Sequence, residues 1–153
     1  MIDVGDKTPA FDMTAAGGGA ASAKALKGQP FVLYFYPRDD TPGCTKEAIA
    51  FTALKPEFDA LGVAIVGVSK DSVAKHEKFI GKPDLAITLG SDESGAVCDA
   101  YGVWVEKKNY GRTYMGIERS TFLVDARGAV RQVWRKVRVK DHAEAVLEAA
   151  RGL

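Results

Sequence analysis

The sequence predicts an α/β fold in which a central mixed β-sheet is flanked by helices. Two continuous apolar runs, Phe31–Tyr36 (FVLYFY) and Val63–Ser69 (VAIVGVS), have the β-branched and aromatic bias of strands buried on both faces. Each is followed by a segment with helical spacing. Further on, two shorter runs flank an Asp-Ala-Arg-Gly turn and read as a hairpin, with one more helix after it. Consecutive βα units followed by a hairpin give parallel and antiparallel neighbours in one sheet.

Residues 1–30 are rich in Gly, Ala and Lys. Within Ala15–Ala23, Gly17-Gly18-Gly19 reads as a surface hairpin or loop, because it lacks the G-x-x-x-x-G-K-[ST] spacing of a phosphate loop. Phe31–Tyr36 is the first buried strand, and Pro37 ends it. From Cys44 onward, Phe51, Leu54, Phe58 and Leu61 recur at spacings of three, four and three, which puts them on one helical face. Pro56 cannot donate to the Thr52 carbonyl, so a kink is expected there. Val63–Ser69 is the second buried strand.

Asp71–Ile80 reads as a helix with Asp71 or Ser72 at its N-cap, and Ala86–Leu89 as a short strand. Ser94–Tyr101 reads as a short helix closed by Gly102. Thr121–Val124 and Val130–Trp134 form the hairpin around Asp125-Ala126-Arg127-Gly128. Lys136, Arg138 and Lys140 alternate with Val137 and Val139, the pattern of an exposed strand face with an apolar underside. The last helix begins near Asp141, with Glu144 as capping-box partner and Val146, Leu147 and Ala150 facing inward. No repeat or linker divides residues 1–153, which read as one domain.

Apolar residues make up 46% of the 153 and charged residues 27%, an ordinary globular balance. A net charge of +1 recommends neither nucleic acid nor an anionic membrane as partner. No apolar run reaches the roughly eighteen residues of a membrane span. Met1–Asp6 is acidic and lacks the apolar core of a signal peptide, so the expected compartment is cytoplasmic. Two cysteines do not make a disulfide scaffold. His76 and His142 lie far apart on helical positions expected to be exposed, and no cluster has metal-ligand spacing; no metal or other cofactor is expected.

The chemistry points to Cys44. It stands where the first strand turns into a helix, facing free backbone N–H groups and the positive end of the helix dipole, conditions that favour thiolate over thiol. Thr41, three residues earlier, can bring a hydroxyl to the sulfur or its substrate, or can serve as a plain turn residue. The backbone N–H groups of Gly43 and Cys44 can point into the same space. Pro42 fixes the turn, and Pro37 can wall the pocket from water.

Pro37-x-x-x-Thr41-x-x-Cys44 resembles the active-site motif of peroxiredoxins. The longer stretch Phe35–Glu47 (FYPRDDTPGCTKE) is similar to the peroxiredoxin Q branch, also called bacterioferritin comigratory protein. Asn109-Tyr110-Gly111, Gly116-Ile117-Glu118-Arg119-Ser120-Thr121-Phe122 and Trp134-Arg135-Lys136-Val137 extend the similarity over nearly the whole chain. The resemblance implies a thioredoxin-like fold and a peroxidase that reduces hydrogen peroxide and organic hydroperoxides through a Cys44 thiolate and sulfenic acid, without haem, flavin or metal. It implies that Arg119 reaches the thiolate and substrate from a distant strand, a task suited to a permanent charge with a planar donor fork. Glu47, one turn beyond Cys44, would hold Arg119; otherwise it is a solvated first-turn acid.

Where relatives carry a resolving cysteine, this chain has Ile49 and Ile80. Cys98 is either a buried structural residue or a resolving thiol; the working expectation is a one-cysteine cycle completed by thioredoxin or another thiol reductant. Trp104, Tyr110, Tyr114 and Trp134 either line the pocket mouth or, for most of them, pack in the core. A monomer is expected. A thioredoxin-type oxidoreductase is disfavoured because Thr41 stands where the first cysteine of C-x-x-C would be. A redox sensor that passes oxidation to a partner protein is the non-enzymatic alternative.

Overall fold

All five residues of Phe31–Phe35 are buried, because this strand runs through the middle of the sheet with protein over both faces. The computed structural model describes residues 2–17 and 21–153; the loop expected at Gly18 and Gly19 lies outside the described residues. In chain order the elements are β1 (Thr14–Ala16), β2 (Phe31–Phe35), α1 (Pro42–Ala60), β3 (Ala64–Ser69), α2 (Val73–Gly81), β4 (Thr88–Ser91) and α3 (Ala96–Ala100). They continue with β5 (Trp104–Asn109), β6 (Arg112–Ile117), β7 (Ser120–Val124), β8 (Val130–Trp134) and α4 (His142–Arg151).

Six strands form one mixed sheet in the order β1-β4-β3-β2-β7-β8, and β5 and β6 form a separate antiparallel hairpin. Strand β2 pairs in parallel with β3, and β3 with β4, through the crossover helices α1 and α2. The β7 strand runs antiparallel to β2 on its other edge. This is the expected central mixed sheet flanked by helices.

Alternation along β2 divides the core between the two faces. Val32 and Tyr34 join Phe51, Phe58, Phe79, Val146 and Leu147 under α1, α2 and α4. Phe31, Leu33 and Phe35 join Val97, Cys98, Tyr101, Phe122 and Val124 on the opposite face, with α3. No helix among the described residues is long and apolar enough to cross a membrane.

Several expectations change. Helix α1 starts at Pro42, where a proline loses nothing because the first-turn N–H has no intrahelical partner, and it continues through Pro56 to Ala60. Leu61 is its C-cap and is 40% exposed rather than inward. The α4 helix begins after Asp141, a left-handed residue whose side chain makes no capping bond, so the capping box with Glu144 does not form. Residues 136–140 are not a strand: Lys136 is left-handed (φ 50) and breaks the ladder after β8. His76 and His142 are buried, each held by hydrogen bonds to neighbours. Tyr110 is 98% exposed at the tip of the β5–β6 hairpin, and Trp134 packs edge-on against His142.

Candidate active site

The end of β2 and the start of α1 are joined by a short loop, which places Cys44 in the first turn of the helix at the carboxyl end of a central parallel strand. That end of an open α/β sheet is where ligands gather, because strands end there and helices begin. Pro42 has no N–H, and the Gly43 and Cys44 N–H groups lie ahead of the first intrahelical carbonyl; Thr45 is the first to find one, on Thr41 at 2.8 Å.

Arg119 arrives through sheet register. Ser120 pairs with Phe35 across the antiparallel β2–β7 ladder, so the residue before β7 stands beside the end of β2. From there the Arg119 Nη2 group donates to Cys44 Sγ at 3.3 Å, and Nη1 donates to Glu47 Oε1 at 2.6 Å. Cys44 and Glu47, three residues apart, share the helix face that meets the guanidinium. All three are held away from water: Cys44 and Glu47 are buried and the Arg119 side chain is 16% exposed.

The electrostatics follow from that burial. Glu47 is pushed up to about 7 by desolvation, and the Arg119 charge and hydrogen bond only partly pull it back. Its second oxygen, Oε2, is buried and has no hydrogen-bond partner among the described residues. Burial opposes the Arg119 charge as well, but Glu47 and the Cys44 sulfur outweigh it and raise the guanidinium further. Lys107 on β5 is pushed down, first by burial and then by Arg119.

Thr41 is the N-cap of α1, but its hydroxyl donates to the Arg38 carbonyl at 2.9 Å and not to the sulfur. With its hydrogen committed there, its lone pairs remain available to a ligand. Pro37, Arg38 and Thr41 form one wall of a cleft of about 750 Å³, and Trp104, Lys107 and Tyr114 belong to the other. Pro42 occupies the first helical position, and Gly43 backs onto the guanidinium: a Cβ there would lie 3.2 Å from Arg119 Nη2. That close approach, which leaves little room for a side chain at position 43, is a role the sequence pattern did not disclose.

Cys98 is placed elsewhere. It sits on α3 in the opposite-face core, fully buried, with its backbone N–H bonded to Asp92 Oδ2 at 2.8 Å. Burial, then Asp92, push its thiol far above the ordinary range. Ile49 is 45% exposed on α1 and Ile80 is partly buried on α2. Among the described residues no group of three or more His, Cys, Asp or Glu side chains could hold a metal ion. The sequence pattern also missed Asp39 and His76, whose buried contact joins the loop before α1 to α2.

A profile of the AhpC/TSA family matches residues 4–133. The chain is 48% identical to peroxiredoxin Bcp of Xanthomonas campestris, over 97% of this chain and 96% of that one. It is 47% identical to a putative peroxiredoxin bcp of Coxiella burnetii, over 95% and 97% of the two chains. Among solved structures it is similar to a Xylella fastidiosa PrxQ mutant, with a TM-score of 0.92 and 35% identity over 99% and 97% of the chains.

Proposed function

Because the chain belongs to the AhpC/TSA family, on its Bcp/peroxiredoxin Q branch, and is a peroxiredoxin, we propose that it reduces hydrogen peroxide and organic hydroperoxides at Cys44 by a one-cysteine cycle. The observation that carries this reading is the Arg119 guanidinium, which bonds the Cys44 sulfur with one nitrogen and buried Glu47 with another.

The ionised sulfur attacks the nearer peroxide oxygen. An S–O bond forms as the O–O bond breaks, and the second oxygen leaves with the electron pair and takes a proton to become water or alcohol. Ionising a thiol that is only a few per cent thiolate at neutral pH gains on the order of thirtyfold, about 2 kcal/mol. A fast peroxidase needs more, and that comes from fixed donors meeting the charge that develops on oxygen. Arg119 and the Gly43 and Cys44 N–H groups are those donors. Thr41, already donating to Arg38, accepts the peroxide O–H and orients it.

Cys44, now a sulfenic acid, is reduced by a thiol from outside. The first thiol displaces water and forms a mixed disulfide; a second thiol attacks that bond, releases Cys44 and leaves as the oxidised disulfide. Thioredoxin or a comparable thiol is the reductant. The burial of Cys98 on the opposite sheet face, and the isoleucines at 49 and 80, support an external reductant over an internal one.

Intact mass after one equivalent of peroxide, on wild type and Cys98→Ser, tests the cycle. The expected result is a gain of one oxygen in both proteins. Loss of two hydrogens in the wild type alone would replace the one-cysteine reading with a Cys44–Cys98 disulfide.

A further inference from the structure

Behind the loop that leads to Cys44 lies a second group of buried titratable side chains. Asp39 Oδ2 is 2.6 Å from His76 Nδ1, and the Tyr36 hydroxyl donates to Asp39 Oδ1 at 2.5 Å. On its other side His76 Nε2 lies 3.0 Å from the Gly90 carbonyl of β4. A carbonyl only accepts, so Nε2 carries a hydrogen; the Tyr36 hydrogen is already directed at Oδ1. One proton therefore occupies the Nδ1–Oδ2 contact, and the Asp39–His76 pair is neutral as a unit. His76 has no exposed surface and Asp39 is almost fully covered. A buried pair of this kind is held tightly, because losing one partner strands the other without water.

The same residue is tied through its backbone. The Asp39 N–H donates to Asp71 Oδ2 at 2.7 Å, and that oxygen also accepts from the Ser69 hydroxyl at 2.9 Å. A single loop residue is thus fastened to the ends of β2 and β3, to α2 and, through His76, to β4. The next residue explains the need. Asp40 is left-handed, with φ 60, a conformation that costs free energy in a residue with a Cβ and that fixed neighbours help to hold. Its own ion pair with Lys82 is solvent-exposed and holds it weakly. Asp39 fixes one side of Asp40 and the first turn of α1 the other.

We infer that Asp39, His76 and Tyr36 form a buried clamp that sets the position of Thr41 and of the Gly43 and Cys44 N–H groups for peroxide attack, with Asp39 and His76 as positioning residues. The inference rests on Cys44 being the sulfur that attacks peroxide. Arg119 comes from the residue before β7 and bonds Glu47 in the second turn of α1, so none of its contacts is made to the clamp residues. Loosening the clamp shifts Thr41 and the backbone of the turn, while the Arg119 bonds to Cys44 Sγ and Glu47 hold the sulfur against that shift.

That separation gives the test. The rate of Cys44 oxidation by hydrogen peroxide and the rate of Cys44 alkylation by iodoacetamide are measured in wild type, His76→Phe and the near-isosteric Asp39→Asn. Iodoacetamide reads the thiolate alone; peroxide also reads the placed donors. Both variants should lose about tenfold to a hundredfold in the peroxide rate, with alkylation unchanged. Asp39→Asn keeps the test open if His76→Phe does not fold. An unchanged peroxide rate in Asp39→Asn overturns the clamp, and so does an equal fall in both rates. If wild-type Cys44 takes up no oxygen, the catalytic reading itself fails, an outcome distinct from either of these.

Discussion

A methyl group added at Gly43 would stand 3.2 Å from Arg119 Nη2, tighter than an ordinary van der Waals contact. The guanidinium is also drawn to Glu47 and cannot retreat without lengthening its bond to the sulfur. Gly43→Ala should therefore lower the rate constant of Cys44 oxidation by about tenfold or more, the scale of a displaced oxyanion donor. Stopped-flow measurement with the folded variant checks this, and an unchanged rate would show that Arg119 tolerates the shift. At this scale the strand-to-helix turn was legible, because local backbone geometry places Thr41, Pro42, Gly43 and Cys44 at the start of α1. The partners of Asp39 and His76 were not. His76 carries no local sign of burial, and its contacts come from a loop 37 residues earlier and a strand 14 residues later.

Among the elements, α3 shows how much a short helix owes to its entry. It spans only Ala96–Ala100, too short to persist alone, and the Asp92 carboxylate receives the N–H groups of Val97 at 3.2 Å and Cys98 at 2.8 Å. Asp92→Ala removes both bonds and should cost about 1–2 kcal/mol, read as a lower urea midpoint at unchanged slope. No change in midpoint would mean that packing of Val97 and Cys98 alone holds the helix.

Strong periods or fully apolar runs disclosed β2, β3, α1, α2, the β7–β8 hairpin and α4, and the shorter patterns at 86–89 and 94–101 marked β4 and α3 to within a few residues. The β5–β6 hairpin escaped because its strands, WVEKKN and RTYMGI, lie mostly exposed outside the main sheet and bear no alternating apolar face. Its sole local mark was the Tyr110-Gly111 turn, where both residues take positive φ as a two-residue hairpin turn requires. Strand β1, three residues at the sheet edge, offered too little pattern to read. Alternation at 136–140 was present, but the left-handed Lys136 removes the backbone geometry that alternation needs.

For the whole molecule, two buried groups make stability respond to pH in opposite directions. Glu47, raised from 4.5 to about 7 by burial, binds its proton more tightly folded than unfolded. Its contribution is full below pH 4.5 and is lost as the pH rises to about 7, a change on the order of 3 kcal/mol. Burial, then Arg119, lower His142 from 6.5 to about 4, so stability is full above pH 6.5 and declines as the pH falls toward 4. Between pH 4.5 and 6.5 the two slopes oppose each other and the wild type should vary little. Glu47→Gln should leave stability rising with pH across that window, and His142→Asn should leave it falling. Urea unfolding across the window reads the slopes; parallel curves for the three proteins would refute the assignment.

One sulfur carries the proposed cycle, and the most direct measurement is peroxide consumption by Cys44→Ser and Cys98→Ser beside the wild type, with excess thiol reductant. Cys44→Ser should consume peroxide no faster than reductant alone, while Cys98→Ser keeps the wild-type rate. Sustained turnover by Cys44→Ser would contradict the account.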